Sequence, residues 1–310
     1  MLHTILGAGG SIGNSLTDEL LTHGEKVRLV SRSGYTQGDS ESVRGDLLSV
    51  EETRNSVAGS DIVYLCAGLP YSVKIWAEQW PVIMRNTIEA CKAANAKLIF
   101  LDNVYMYGLV TGPMTETTPY NPCSKKGEIR ANIATLLTDE FSAGNLTGCI
   151  ARAADLYGPY ATKTSLPTIM AIEKLLAKKQ AQWLVNATTI HSYTYTTDCA
   201  KGLYLLAGAS DSMNQIWHLP TTNPGINGKT LIEIVATAAG VPSKFTILKK
   251  WMVKLAGLVD PTVANVFEML YQNENDYHFD STKFNQHFNY QPMPYTEGLP
   301  KTVNWIRQHS

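Results

Sequence analysis

Apolar and polar positions along the first half of the chain switch repeatedly between a two-residue and a helical period. The apolar run closing at Leu6 predicts a strand, and a helical pattern starts at Ser11, continues through Leu16–Leu21 and stops at Gly24. Lys26–Val30 predicts a second strand and Ser42–Leu47 a short third, followed by a helix over Glu51–Val57. Asp61–Ala67 is apolar enough for a strand buried on both faces. A helix is expected over Trp76–Ala94, a strand over Lys97–Leu101, a helix over Lys126–Phe141 and a strand over Thr147–Ala151. This alternation implies a parallel sheet with helices on both faces.

Beyond Pro159 the rhythm loosens. Helices are expected over Leu166–Lys179, Thr230–Ala239, Lys249–Tyr271 and Thr296–Ile306, a short strand near Trp183, and a late strand over Gln215–Leu219 returning to the sheet. The expected organisation is an α/β, Rossmann-type doubly wound sheet over residues 1–159, to which 192–220 return. Residues 160–191 and 221–310 would form a smaller substrate lobe over the carboxyl ends of the strands, where open α/β sheets bind ligands.

The junction of the first strand and helix carries the first chemical signal. Gly7, Gly10 and Gly13 stand three apart, with Gly9, Ser11 and Ile12 between them. Gly7 allows a tight turn, Gly10 a close approach of backbone to a pyrophosphate, and Gly13 close packing of helix on sheet. Free N–H groups at the helix start, with the positive end of its dipole, suit phosphate. Tight turns use glycine as well, so the trio gains its meaning from its place at a strand-to-helix switch.

Composition narrows the classes. The 310 residues carry a net charge of -1 with 44% hydrophobic residues, so no basic excess exists to offset nucleic-acid phosphates. No apolar run reaches membrane-spanning length, and neither nucleic acid nor membrane is an expected partner. Five scattered cysteines and seven histidines show no metal-ligand spacing, so no metal is expected. Free thiols and an N-terminus that enters a strand directly lead to the expectation of a cytoplasmic protein.

A series of further landmarks follows in order: Gly45-Asp46-Leu47, Cys66-Ala67-Gly68, Tyr105-Met106-Tyr107-Gly108, Glu116 to Pro122, Arg152 to Pro159, His191 to Ala200, and Asp280 to Lys283. Together with G-x-x-G-x-x-G at Gly7–Gly13, the chain resembles the extended short-chain dehydrogenase/reductases, especially the sugar-nucleotide epimerases and dehydratases. The resemblance implies a nicotinamide dinucleotide, with Asp46 accepting from the adenine amino group and the Cys66–Gly68 turn lining the cofactor. It also implies a small-molecule substrate and the possibility of a homodimer through the helices at 76–94 and 126–141.

The second strand ends Ser31-Arg32-Ser33 without the acid that usually selects NAD(H). A guanidinium there can pair a 2′-phosphate, aided by two hydroxyls, so NADP(H) is favoured over NAD(H). A solvated surface arginine is the plain alternative.

The resemblance also implies a catalytic Ser or Thr, a Tyr-x-x-x-Lys pair and an Asn; at those places stand Asn103, Lys126, Arg130 and Trp80. None of the four groups is present. Lys126 and Arg130 lie one helical turn apart, and a nearby guanidinium with burial would lower the Lys126 pKa towards an acid–base role. They equally suit contacts to cofactor phosphate or ribose, or a solvated helix start. Tyr105 is the second proton-carrying candidate, with Asn103 and Arg130 positioning the substrate oxygen. Tyr71, Asp155 and His191 are candidate substrate contacts. The 251–271 helix can wall an apolar substrate, although its spacing serves core packing as well.

The expected activity is carbonyl/alcohol redox on a small organic or sugar-like substrate. The alternatives are a sugar-nucleotide epimerase or dehydratase, and a non-catalytic NADP(H)-sensing or scaffold protein.

Overall fold

The computed structural model describes residues 1–309. Strands β1 (Leu2–Leu6), β2 (Lys26–Ser31), β3 (Glu41–Arg44), β4 (Ile62–Leu65) and β5 (Lys97–Asp102) join Gly148–Arg152 and Gln215–His218 in one seven-stranded sheet. The order is Gln215–His218, Gly148–Arg152, β5, β4, β1, β2, β3, and every pairing is parallel. Order reverses between β1 and β4, the crevice where a Rossmann-type fold receives its ligand.

Strand periodicity divides the core in two. Leu6, Val63, Leu65, Leu98 and Phe100 point to one face, beneath α3 (Val73–Ala94) and α4 (Lys125–Ser142), with α2 (Val50–Val57) beside them. Ile5, Ile62, Tyr64 and Ile99 point to the other, beneath α1 (Ser11–Thr22) and the Thr196–Gly208 helix. A third cluster, including Trp183, Tyr193, Leu231, Val235 and Leu299, fills the C-terminal region.

Two expected helices differ. The 249–271 stretch forms three helices, Lys250–Ala256, Pro261–Phe267 and Tyr271–Glu274. Pro261 opens the middle one, and the Asp260 carboxylate accepts from the Thr262 and Val263 N–H groups, a start signal that interrupts the apolar pattern. The 166–179 stretch begins after Pro167 as a π-helical turn, Thr168–Ile172, and ends in Glu173–Leu176. Phe245–Leu248, not anticipated, pairs in parallel with Ala181–Leu184.

A buried polar chain ties the carboxyl ends of three strands. Arg130 donates through Nε to Asp102 Oδ1 at 2.7 Å and through Nη2 to the same oxygen. Arg152 Nε stands 3.6 Å from Asp102 Oδ2, and its Nη1 donates to the Tyr107 hydroxyl at 2.6 Å. His218 Nδ1 lies 2.7 Å from the Asp280 carbonyl, which can only accept. Nδ1 therefore carries the proton, and Nε2 accepts from the Tyr107 hydroxyl at 2.8 Å.

Burial, and then Arg152, push His218 down to about 3 from the ordinary 6.5, so it stays neutral in the fold. The unfolded histidine takes a proton first as pH falls. This contribution is intact above about pH 6.5 and is lost on the way to about pH 3. Its full extent is on the order of 5 kcal/mol. Unfolding free energies measured by urea from pH 7.5 down to 4.5 should fall more steeply in the wild type than in His218→Gln, by up to one proton's slope. Equal slopes would contradict the assignment.

Candidate active site

The turn after β1 opens a groove of about 400 Å³ across the ends of β1, β2 and β4. Gly7 (φ +96°) and Gly9 (φ +86°) occupy backbone conformations that favour glycine, and a Cβ on Gly7 would overlap the Ala67 backbone. A Cβ on Gly13 would come within 3.1 Å of the Gly7 carbonyl oxygen. Gly10 precedes α1 in extended backbone; no side chain caps the helix and its first turn holds no acid. The first-turn N–H groups and the positive helix end thus meet the groove without a side-chain partner, which fits a dinucleotide pyrophosphate.

Gly7, Gly9, Gly10, Ser31, Arg32, Ser33, Asp46, Leu47, Ala67 and Gly68 all line this groove. Arg32 is exposed and has no partner among the described residues. The Ser31 hydroxyl accepts from the Tyr35 N–H at 2.8 Å. Asp46 Oδ1 accepts from the Leu48 N–H at 3.0 Å, so the carboxylate also shapes its own turn.

Four of the anticipated cofactor residues do not turn a side chain into the groove, although Ser11, Ile12 and Gly13 form the first turn of α1. The Ser11 hydroxyl donates to the Tyr160 carbonyl at 3.0 Å, and Ile12 packs into the core. Gly13 serves helix–strand packing, and Cys66 lies against the core on the α1 side, its thiol pushed up to about 12 by burial.

Beyond Leu69 of the groove lies a second cavity of about 220 Å³. Tyr71, Tyr105 and Asp155 face it, from loops after β4 and β5 and from the strand Asp155–Tyr157. Leu156, Leu166, Ile169, Val266 and Met269 supply an apolar wall, and Lys163, Thr262, Gln272 and Asn273 complete it. Thr262, Val266 and Met269 fall in the 251–271 stretch read as able to wall an apolar substrate, and Leu156 in the Arg152–Pro159 landmark, whereas no motif marks the others in the sequence.

The Tyr71 hydroxyl donates to the Tyr105 oxygen at 3.4 Å, which leaves the Tyr105 proton available to the cavity. Burial, and then repulsion from Asp155, raise the Tyr105 pKa; burial, and then Tyr105, raise that of Tyr71. Both phenols hold their protons at neutral pH. Tyr105 is fixed by Trp76 stacked on its ring, centroids 6.2 Å apart, and by its N–H donating to Asn103 Oδ1 at 3.1 Å. Asn103 therefore caps the turn that carries Tyr105.

Lys126 and Arg130 have other work. The fully buried Lys126 ammonium donates to Glu268 at 2.6 Å and to the Asn265 carbonyl at 2.7 Å, and lies 4.3 Å over the Tyr71 ring. Burial lowers its pKa and the Glu268 carboxylate opposes the shift; Arg130 has no part in it. Arg130 instead turns into the core, against Asp102 and over the Trp80 ring at 4.5 Å. His191 sits behind Asp155, its Nε2 3.0 Å from Oδ2, stacked on Tyr277. Among the described residues no cluster of His, Cys, Asp or Glu is placed to hold a metal ion.

The NAD dependent epimerase/dehydratase family matches residues 3–219. A dTDP-6-deoxy-L-talose 4-dehydrogenase (NAD(P)(+)) of Kitasatospora kifunensis is 22% identical over 261 residues, 78% of this chain and 80% of that protein. A 2-alkyl-3-oxoalkanoate reductase of Shewanella oneidensis is 29% identical over 128 residues, 37% of this chain and 32% of that protein; the match thus spans about a third of that relative's length. The solved structure of dTDP-glucose 4,6-dehydratase from Bacillus anthracis in complex with NAD superposes with a TM-score of 0.83 at 16% identity, covering 100% of this chain and 97% of that one. No helix among the described residues is long and apolar enough to cross a membrane.

Gly7→Ala should cost about 1–3 kcal/mol through its φ alone, and more through overlap with Ala67. Denaturant unfolding should show the loss, and nucleotide titration of the folded fraction should show weakened binding. Wild-type stability and affinity would contradict the close-approach reading.

Proposed function

The chain belongs to the NAD dependent epimerase/dehydratase family, and from that membership and the site's geometry we propose that it is an NADP(H)-dependent reductase of a carbonyl on a small organic substrate. When bound, the nicotinamide supplies the hydride. Residues 1–159 and 192–220 hold the cofactor, and 160–191 with 221–310 form the substrate lobe. Arg32, exposed at the groove without a partner among the described residues, pairs the 2′-phosphate, with Ser33 beside it. Ser31, Asp46 and the Ala67–Gly68 turn complete the cofactor contacts.

The observation that carries the reading is the Tyr71–Tyr105 pair at the cavity wall. A phenol that stays protonated at neutral pH is suited to donate to an oxygen that gains negative charge as a carbonyl is reduced. Tyr105 delivers that proton, and the Tyr71 hydroxyl, already aimed at the Tyr105 oxygen, stabilises the phenolate left behind. Lys126 holds Tyr71 from beneath its ring, so its role is positioning. Both curated relatives bear oxidoreductase names, a reductase and a dehydrogenase, in keeping with this class.

The whole-chain likeness to a dTDP-glucose dehydratase favours a second reading, sugar-nucleotide epimerisation or dehydration. Against it, no arginine among the described residues lines the cavity, which leaves Lys163 as the only cation among them there for a substrate diphosphate. Conversion without net NADPH consumption would identify that reading.

NADPH oxidation with aldehydes and medium-chain 3-oxo acids tests the proposal. Tyr105→Phe should lose about 10²–10⁴-fold in kcat/KM with NADPH affinity unchanged. Tyr71→Phe should lose less, and Lys126→Met should act chiefly through thermal stability. Full turnover in Tyr105→Phe would overturn the assignment. Nucleotide binding without turnover of any carbonyl would point to the sensing protein.

A further inference from the structure

The helical hairpin over 250–267 presents an unusual outer face. Trp251, Leu255, Leu258 and Val259 are 60%, 55%, 81% and 87% exposed, and they make up half of the chain's large exposed hydrophobic side chains. Its inner face is apolar too: Val253 is buried against Leu184 and Leu270, with Val263, Val266 and Phe267 beside it. A hairpin apolar on both sides has one side without a partner. The two helices pack closely below the tip, where a Cβ on Gly257 would stand 3.0 Å from the Ala264 Cα.

Charge selects the occupant. Lys249, Lys250 and Lys254 flank the exposed apolar groups, and Asp260 is the only carboxylate at the tip, already engaged in capping Pro261–Phe267. Lys250 pairs with Glu274 at 2.7 Å, whereas Lys249 and Lys254 have no partner among the described residues. Glu268, on the inner side, is taken by Lys126. A two-fold contact burying this apex would bring the lysines of both copies to one interface, with a single tip carboxylate from each copy to offset them. A convex tip with Trp, Leu and Val at its apex and lysines at its shoulders matches the boundary of an anionic bilayer. There aliphatic groups enter the acyl region and ammonium groups meet phosphate.

We propose that the 250–267 hairpin docks this protein peripherally on anionic lipid surfaces, with Trp251, Leu255, Leu258 and Val259 inserted and Lys249 and Lys254 at the headgroups. This adds a partner that composition alone did not suggest. Thr262, Val266 and Met269 of the same segment wall the 220 Å³ cavity. Docking therefore brings the cavity close to the surface into which apolar carbonyl compounds partition. That last step rests on the proposed reductase reading; lipid binding itself does not, and the two can fail separately.

Flotation of the full chain with phosphatidylcholine vesicles, with and without phosphatidylglycerol, provides the test. Binding is expected only to the anionic vesicles and should weaken at high salt. Leu258→Asp with Val259→Asp should reduce it at least about tenfold. Lys249→Glu with Lys254→Glu, a second variant at exposed positions, should reduce it as well, and thermal melts should show both variants folded. Absence of flotation would overturn the proposal, as would flotation that survives the Leu258/Val259 change. Concentration-dependent self-association lost in that variant, without flotation, would assign the face to a second copy instead.

Discussion

A carboxylate buried between two guanidiniums governs the architecture of this site. Asp102 ends β5 and receives Arg130 from α4 and Arg152 from the neighbouring strand. Removing one member of such a group leaves an uncompensated buried charge, typically at about 3–5 kcal/mol. Through Arg152 the chain of contacts reaches Tyr107, His218 and the Asp280 carbonyl, so four segments far apart in sequence meet at one end of the sheet. The need to offset a buried carboxylate with opposite charge thus holds these segments together, although Asp102 Oδ2 and Arg152 Nε meet only as an ion pair at 3.6 Å and not as a hydrogen bond.

This constraint explains the unusual use of α4. Two long cations one turn apart share a helix face, yet their ends go to different places. Arg130 goes down to Asp102, and Lys126 goes sideways to Glu268 and the Asn265 carbonyl. With both committed to structure, the phenols carried by the β4 and β5 loops face the cavity, with Lys163 on its wall. The glycine turn and open helix end, by contrast, keep the features a dinucleotide needs. The groove thus keeps the form that a dinucleotide needs, while the two cations of α4 are turned to structural partners.

Much of the fold was legible because strands buried on both faces leave continuous apolar runs, and because glycine spacing marks the first turn directly. The late strand at Gln215–His218 also lies where the sequence places it. The 249–271 stretch misled because a pattern apolar all round masks the Asp260-Pro261 start signal. Spacing placed Lys126 and Arg130 on one face without revealing their partners, since Glu268 lies 142 residues from Lys126 along the chain. Tyr71 and Tyr105 could each be singled out from their positions after strands. Their pairing, and the direction of the hydrogen bond between them, belong to tertiary structure alone.

The most direct test of the proposed cofactor groove is calorimetric titration of the nucleotide-stripped protein with NADPH and with NADH. The account predicts one NADPH per chain and NADH binding weaker by about tenfold or more, the equivalent of about 1.4 kcal/mol for the lost 2′-phosphate contact. Binding of neither nucleotide would contradict it. NADH bound more tightly than NADPH would remove the role given to Arg32.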